Sequence, residues 1–394
     1  MHDSSTTLDS KTSALIWFGA AVSIAEILTG TLFAPLGFAQ GLAAIALGHL
    51  IGGGLFFAAG YIGAQTGKSA MQTTALSFGH HGSFLFSLAN IIQLVGWTAI
   101  MIITGAQAAS ALSGGGETVW SIAIGLLILV WLFIGMRNFD KINLAAMSAL
   151  FLLTLWWSGS AFHGQAPAAA PAADGISFGA AVELAVAMPL SWLPLVADYT
   201  RRAKHPLAAT LSGTAAYSLT SCWMYAIGLG AALFSQQSDI AAMLQHAGLG
   251  WAGIFIVVFS TVTTTFLDAH SAGVSSQHLF QQLKERPTAI AVTLLGTLLA
   301  IVYPVHQFES FLYFIGSVFA PMIAIQIADF FLLKRRQQPA TTDWVALAMW
   351  LAGFILYRNL LQWETPVGST LPVMAAVVIL TLLARRIFNR AAEN

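Results

Sequence analysis

Two acidic residues lie inside long apolar runs of this 394-residue chain. Glu26 lies about halfway along the first apolar run, and Asp268 lies well inside a later one. Ionisable groups at membrane depth are costly, so each indicates a functional site. Glu26 could contact a substrate or take part in proton coupling. Its alternative role is that of a protonated or hydrogen-bonded structural acid.

Hydroxyl-bearing residues precede Asp268 at short spacing, namely Ser260, Thr261 and the run from Thr263 to Thr265. Hydroxyls and backbone carbonyls are hard oxygen ligands, which suit a small alkali cation. Threonines on a helix can instead bond back to carbonyl groups one turn earlier and bend the helix. The spacing alone does not decide between these two roles.

A third polar set is formed by Asn90, Gln93, Trp97 and Thr104, which follow steps of three, four and seven residues. On a helix these steps place the four side chains on one face. Such a face suits a flat heteroaromatic ligand, because the ring stacks on tryptophan while amides read its edge. The alternative is ordinary hydrogen bonding between helices around a packed tryptophan.

The stretch at residues 188–202 (MPLSWLPLVADYTRR) combines Pro189 and Pro194 with Trp192 and Asp198. Proline removes a backbone hydrogen bond and obstructs the preceding helical turn. The freed carbonyls are tolerated at membrane depth only where they are buried in protein or line a wet cavity. The stretch therefore predicts a broken helix beside a cavity; the alternative is a proline-kinked span without a ligand role.

Composition places these residues in a polytopic membrane protein. The chain is 57% hydrophobic and 8% charged, whereas soluble domains average about 25% charged residues. Walker A and dinucleotide glycine patterns are absent from the sequence, and its basic residues fall in loops rather than on a nucleic-acid-binding face. A soluble nucleotide-dependent enzyme and a nucleic-acid-binding protein are therefore excluded.

Twelve spans are predicted, and helices are the default because they satisfy their own backbone in lipid. All lysines and arginines except Arg358 fall in cytoplasmic segments if the N-terminus is inside, which predicts two cytoplasmic termini in the cell (inner) membrane. Trp17, Trp344 and Trp363, near predicted span ends, are interpreted as interfacial residues. The spans are 13–36, 41–65, 82–111, 118–136, 142–162, 177–198, 207–234, 249–273, 287–304, 308–333, 343–361 and 370–387.

An Ala- and Pro-rich outer linker separates spans one to five (1–162) from spans six to ten (177–333), and spans eleven and twelve (343–387) follow. Many secondary transporters consist of two five-helix inverted repeats, with broken helices at the substrate site. Polar or helix-breaking residues occur in both span one and span six. The arrangement predicts a single transmembrane domain over residues 1–394.

Four segments resemble the nucleobase–cation symporter-1 family, which transports cytosine, allantoin, hydantoins and related rings. They are IWFG (16–19) with the Ser23–Ile24 pair, QLVGW (93–97), ADYTR (197–201), and GSVFAP (316–321) through DFFL (329–332). Residues 263–275 (TTTFLDAHSAGVS) look most like the CytX branch, which is associated with hydroxymethylpyrimidine uptake in thiamin salvage. The resemblance implies an all-α, LeuT-like fold with two inverted five-helix repeats plus two extra C-terminal helices, and alternating access.

By position, the resemblance implies that Trp97 stacks on the substrate ring and that Glu26 and Asp268 are polar substrate contacts. Gln93 and Trp192 complete the expected substrate-binding set, although Trp192 does not align cleanly with the family's second ring-facing tryptophan. The expected cation-binding set consists of Val22, Ala25, Thr263 and Thr264.

Two departures from the family pattern bear on the substrate. Met101 replaces a glutamine, and Asp268 replaces an asparagine. An acid can accept hydrogen bonds from an exocyclic amine, which favours an aminopyrimidine over a hydantoin.

The sequence therefore predicts a secondary transporter that imports a pyrimidine-like ring with a cation. Hydroxymethylpyrimidine is the first choice of substrate, followed by cytosine and then by allantoin or a hydantoin. Hydroxyl ligands favour Na⁺ as the coupling ion, while two membrane acids leave H⁺ open; no other cofactor is expected. A channel needs a continuous polar pore and a membrane enzyme needs a nucleophile–base or metal constellation, and neither pattern can be assembled from this sequence.

Overall fold

The computed structural model describes residues 7–134, 148–149, 151–152, 154–159, 162, 175–234, 239–246, 248–302, 308–336 and 341–393. These residues form helices and no strands. A short 3₁₀ turn at Ala34–Leu36 and a π turn at Ala328–Leu332 supplement the helices. The helices are α1 (Ser10–Ala21), α2 (Ile24–Thr31), α3 (Gly37–Thr66), α4 (Ala70–Ser113), α5 (Glu117–Ile134), α6 (Phe178–Ser191), α7 (Val196–Thr200), α8 (Pro206–Phe234), α9 (Ile240–His246), α10 (Gly250–Leu279), α11 (Glu285–Val302), α12 (Phe308–Ile327), α13 (Trp344–Leu360) and α14 (Thr370–Glu393).

Within the described ranges, eight helices are long and apolar enough to cross a membrane, and the bent pair α1–α2 makes a ninth. Helices α6 and α13 are shorter apolar helices. Every predicted span other than 142–162 contains one of these helices. Within 142–162 the structure describes residues 148–149, 151–152, 154–159 and 162, and all of these except Phe162 are helical. The predicted all-helical membrane fold is confirmed, while the count of twelve spans stays a prediction.

The first predicted span is broken in its middle. Helices α1 and α2 meet at an angle of 51°, with Val22 (ψ 81°) outside helical conformation. Ser23 restarts the helix because its hydroxyl accepts a hydrogen bond from Ala25 N at 3.2 Å.

The predicted break in span six is also present. Helix α6 ends at Ser191, and α7 begins at Val196 after a turn that includes Pro194. The carbonyl oxygens of Ser191 and Pro194 accept hydrogen bonds from Gln93 and Asn90 of α4, each at 3.1 Å. The amide face predicted on span three thus satisfies the backbone groups that the break releases.

Close helix packing holds the two breaks side by side. Helix α4 packs along α10, α1 and α2 pack on α8, and α3 lies against both α6 and α8. A Cβ atom at Gly52 of α3 would lie 2.3 Å from Pro189 Cγ, so only glycine allows this approach.

Helix α4 changes direction at Gly79, whose φ of 78° favours glycine. The segment before α13 fills this bend, where Thr341 O accepts from His81 N at 3.2 Å and Phe78 O accepts from Asp343 N at 2.9 Å. The C-terminal helix pair is therefore attached to the same helix that supports the break in span six.

Candidate substrate and cation site

A small cavity lies where the two helix breaks face α4 and α10. Its free volume is about 20 Å³, so a ring can enter only when the lining side chains move apart. Its walls are Ala20, Ser23, Ala25 and Glu26 at the first break, Trp97 and Met101 on α4, Met188, Ser191 and Trp192 at the second break, and Thr264 and Asp268 on α10.

Four of the five predicted substrate residues line this cavity, namely Glu26, Trp97, Trp192 and Asp268. The fifth, Gln93, lies behind the second break. Its Nε2 donates to Ser191 O and, at 2.8 Å, to Asn90 Oδ1, while its Oε1 is buried without a partner among the described residues. The structure therefore places Gln93 as a support for the break rather than on the cavity wall.

The carboxyl group of Glu26 is held at both oxygens by α8. Tyr217 OH donates to Oε1 at 2.9 Å, and Ser221 Oγ contacts Oε2 at 2.7 Å. Tyr217 OH also accepts from Trp192 Nε1 at 3.0 Å. One tyrosine thus joins the acid of the first break to the tryptophan of the second.

Hydrogen counting shows that Glu26, Ser221 and His49 share a proton. His49 Nδ1 lies 2.8 Å from Ile45 O, a pure acceptor, so Nδ1 carries a hydrogen; its Nε2 lies 2.6 Å from Ser221 Oγ. Ser221 has one hydroxyl hydrogen for two contacts, so the other comes from Glu26 or from His49 Nε2. The trio is either a neutral acid with a neutral imidazole or a carboxylate with an imidazolium.

Asp268 differs from Glu26 in its surroundings. It is 3% exposed and lines the cavity, yet its carboxyl group makes no hydrogen bond within the part of the chain that the structure describes. Another wall residue, Trp97, packs its indole edge-on against Phe311 at 5.5 Å between ring centroids. The site therefore offers aromatic surfaces and one uncommitted acceptor.

Three of the four predicted cation residues lie at or face the first break, and one bonds within its own helix. Thr264 Oγ1 points at Ala20 O of α1 over 3.5 Å, and Ala25 lines the cavity beside the first break. Thr263 Oγ1 instead donates to Phe259 O at 2.9 Å and to Ser260 O at 3.1 Å, inside its own helix. The fourth residue, Val22, is buried at the break itself.

Sequence reasoning missed Tyr217, Ser221 and His49. The four-residue spacing of Tyr217 and Ser221 predicts a shared face of α8, but nothing local shows that this face meets Glu26. The interfacial interpretation of Trp17 is wrong, because this side chain is fully buried and its ring packs edge-on against Trp192 at 5.4 Å.

Comparison with known proteins gives consistent matches along the chain. Residues 2–381 match the family model of permeases for cytosine/purines, uracil, thiamine and allantoin. The cytosine permease of Escherichia coli O157:H7 is 26% identical over 384 residues, which cover 95% of this chain and 88% of that protein. The purine-cytosine permease of Saccharomyces cerevisiae is 24% identical over 388 residues, which cover 86% and 72% of the two chains.

A solved structure shares the fold. Mhp1, a nucleobase–cation-symport-1 family transporter in a closed conformation with bromovinylhydantoin bound, superposes with a TM-score of 0.83 at 18% identity. The superposition covers 99% of this chain and 96% of Mhp1.

Proposed function

Because the chain belongs to the nucleobase–cation symporter-1 family of membrane permeases, and not to an enzyme family, we propose that it imports an aminopyrimidine together with a cation. The observation that carries this proposal is the cavity between the two helix breaks. There Trp97 and Trp192 offer ring-stacking surfaces, and Asp268 offers a carboxyl group that has no hydrogen-bond partner among the described residues.

Cytosine is the first substrate that we propose, and hydroxymethylpyrimidine is the second. Both rings carry an exocyclic amine that could donate to Asp268. The names of the relatives support cytosine, so the order expected from sequence is reversed here. In this proposal the ring stacks on Trp97 while Asp268 reads its amine.

Sodium is the coupling ion that we propose, bound between the first break and α10. Thr264 supports this site because its hydroxyl already faces Ala20 O, and the carbonyls of Val22 and Ala25 would add oxygen ligands. Thr263 would join only after its hydroxyl leaves its own helix. The proton shared by Glu26, Ser221 and His49 favours H⁺ as the second candidate.

In the orientation that we propose, both termini are cytoplasmic and the protein lies in the cell (inner) membrane. The basic residues support this orientation through the positive-inside rule. Two inverted five-helix repeats would rock about the cavity to alternate access.

The test is uptake of labelled cytosine into proteoliposomes under an imposed sodium gradient, a proton gradient, or neither. We expect saturable accumulation of unchanged cytosine that the sodium gradient drives and that Asp268→Ala abolishes. Accumulation driven by the proton gradient alone would assign coupling to H⁺. Equilibration without accumulation would indicate a channel, and a chemically altered product would indicate an enzyme.

A further inference from the structure

A second and larger cavity, of about 390 Å³, opens at the end of the bundle where most basic residues lie. It is enclosed by the start of α4, the end of α7 and the end of α10. Among the described residues, no acidic one lines it. Its polar wall includes Lys68, Gln72, His80, Arg201, Gln277 and His278. We call it the basic cavity.

Several donors of the basic cavity have no partner within the described ranges. Lys68 makes no ion pair there, and Arg201 Nε is buried without a hydrogen bond. Gln72 uses its Oε1 to accept from Ser69 N at 2.9 Å, which leaves its Nε2 hydrogens unbonded among the described residues. These groups are all hydrogen-bond donors, so the cavity suits a ligand that carries hydrogen-bond acceptors.

Two acids stand near this cluster without lining the cavity. Asp198 Oδ1 accepts from Ala70 N at 2.9 Å and so caps the start of α4. Glu285 approaches Arg201 Nη2 only to 3.9 Å and is partly exposed. The segments that follow α7 and α10 carry further cations at Arg202, Lys204, Lys284 and Arg286. Basic residues therefore outnumber Asp198 and Glu285 in these segments.

We propose that the basic cavity binds a phosphate monoester. Lysine and arginine form charge-assisted hydrogen bonds to phosphate oxygens. Imidazoles and glutamine amides can bind the remaining oxygens or the attached group, and the volume suits a small ligand. A bound phosphate would connect α4, α7 and α10 and hold this end of the bundle closed. The phosphate could belong to a soluble ester or to a lipid headgroup.

Thermal stability of the purified full chain in detergent tests the soluble source. Cytidine 5′-monophosphate is titrated against cytidine, which has no phosphate, at constant ionic strength. We expect stabilisation by the monophosphate only. Lys68→Gln should weaken its binding about tenfold or more, whereas Lys284→Gln, which removes an equal charge outside the cavity, should not. Gln277→Ala, at an exposed position, is the second lining variant and should weaken binding less.

The lipid source is tested in nanodiscs of phosphatidylcholine, whose phosphate is a diester, with or without phosphatidic acid, whose headgroup is a phosphate monoester. Stabilisation by phosphatidic acid that Lys68→Gln removes, with no response to the monophosphate, would assign the site to a headgroup. Three outcomes would overturn the proposal. The first is an equal response to cytidine and to its monophosphate. The second is an equal loss of binding in Lys68→Gln and Lys284→Gln, and the third is the absence of any Lys68-dependent response to either phosphate source. Binding is measured without transport, so either proposal can fail while the other stands.

Discussion

Glu26 and Asp268 line the same cavity, yet their surroundings differ. Both oxygens of Glu26 are bonded to hydroxyls of α8, whereas the Asp268 carboxyl group has no hydrogen bond among the described residues. A saturated carboxyl group holds its neighbours in place, while an unsaturated one keeps its acceptors for a ligand. Our hypothesis is that Glu26 supports the structure of the first break and that Asp268 recognises the substrate.

The largest expected effect follows from Asp268→Asn. This change keeps the side-chain size but replaces one acceptor oxygen with a donor, which would face the amine of the ring. We expect cytosine affinity to fall about 100-fold, or about 3 kcal/mol, with the unfolding midpoint preserved. Calorimetric titration and a thermal melt measure the two quantities. Unchanged affinity would remove Asp268 from the substrate site.

Glu26→Ala should lower stability more than it lowers cytosine affinity, which is the opposite of the effect expected for Asp268→Asn. It leaves the hydroxyl of Tyr217 buried without its acceptor and removes one of the two partners of Ser221 Oγ. An unsatisfied buried polar group costs about 1–3 kcal/mol. We expect a lower unfolding midpoint in the absence of any ligand, measured beside Asp268→Ala as the matched acid. A midpoint lowered as much in Asp268→Ala would erase the distinction between the two acids.

Tyr217→Phe tests how Glu26 is connected to Trp192, and we expect a smaller effect than that of Glu26→Ala. The ring keeps its stacking on Phe56, at 5.3 Å between centroids, but its bonds to Glu26 and Trp192 are lost. We expect a loss of about 1–2 kcal/mol in stability and about tenfold in cytosine affinity, because Trp192 loses its anchor. The Glu26→Gln/Tyr217→Phe double variant should be less affected than the sum of the single changes. Strict additivity would show that Tyr217 and Glu26 are not energetically coupled.

The smallest expected effect is at the two adjacent threonines. Thr264→Val removes a hydroxyl that faces the first break, and Thr263→Val removes one that bonds its own helix. We expect the sodium dependence of cytosine binding to be about fivefold weaker in Thr264→Val and unchanged in Thr263→Val. The sodium concentration for half-maximal binding is the measurement. Reversed effects would place Thr263, and not Thr264, at the cation.

Local chemistry explains why the membrane fold and the break in span six were predictable. An 8% charged composition dictates membrane spans. Pro194 lies in the turn between α6 and α7, as its missing N–H predicts, whereas Pro189 lies inside the last turns of α6. Trp97 and Asp268 both line the cavity between the breaks, and an acid at membrane depth already indicates a functional site. Their roles as substrate contacts stay predictions.

Helix rotation and distant contacts were not predictable. Gln93 and Trp97 share a face in sequence, but the rotation of α4 turns Gln93 to the carbonyl of Ser191. The partners of Glu26 lie 191 and 195 residues away, beyond the reach of any local pattern. Trp17, near a span end, gave no sign that four aromatic rings would surround it.

The most direct test compares cytosine with 2-hydroxypyrimidine, which lacks the exocyclic amine, in binding to the wild type, Asp268→Asn and Glu26→Gln. The division between the two acids predicts a strong preference for cytosine in the wild type, its collapse in Asp268→Asn, and its survival in Glu26→Gln. A preference that survives in Asp268→Asn and disappears in Glu26→Gln would contradict the assignment of substrate recognition to Asp268.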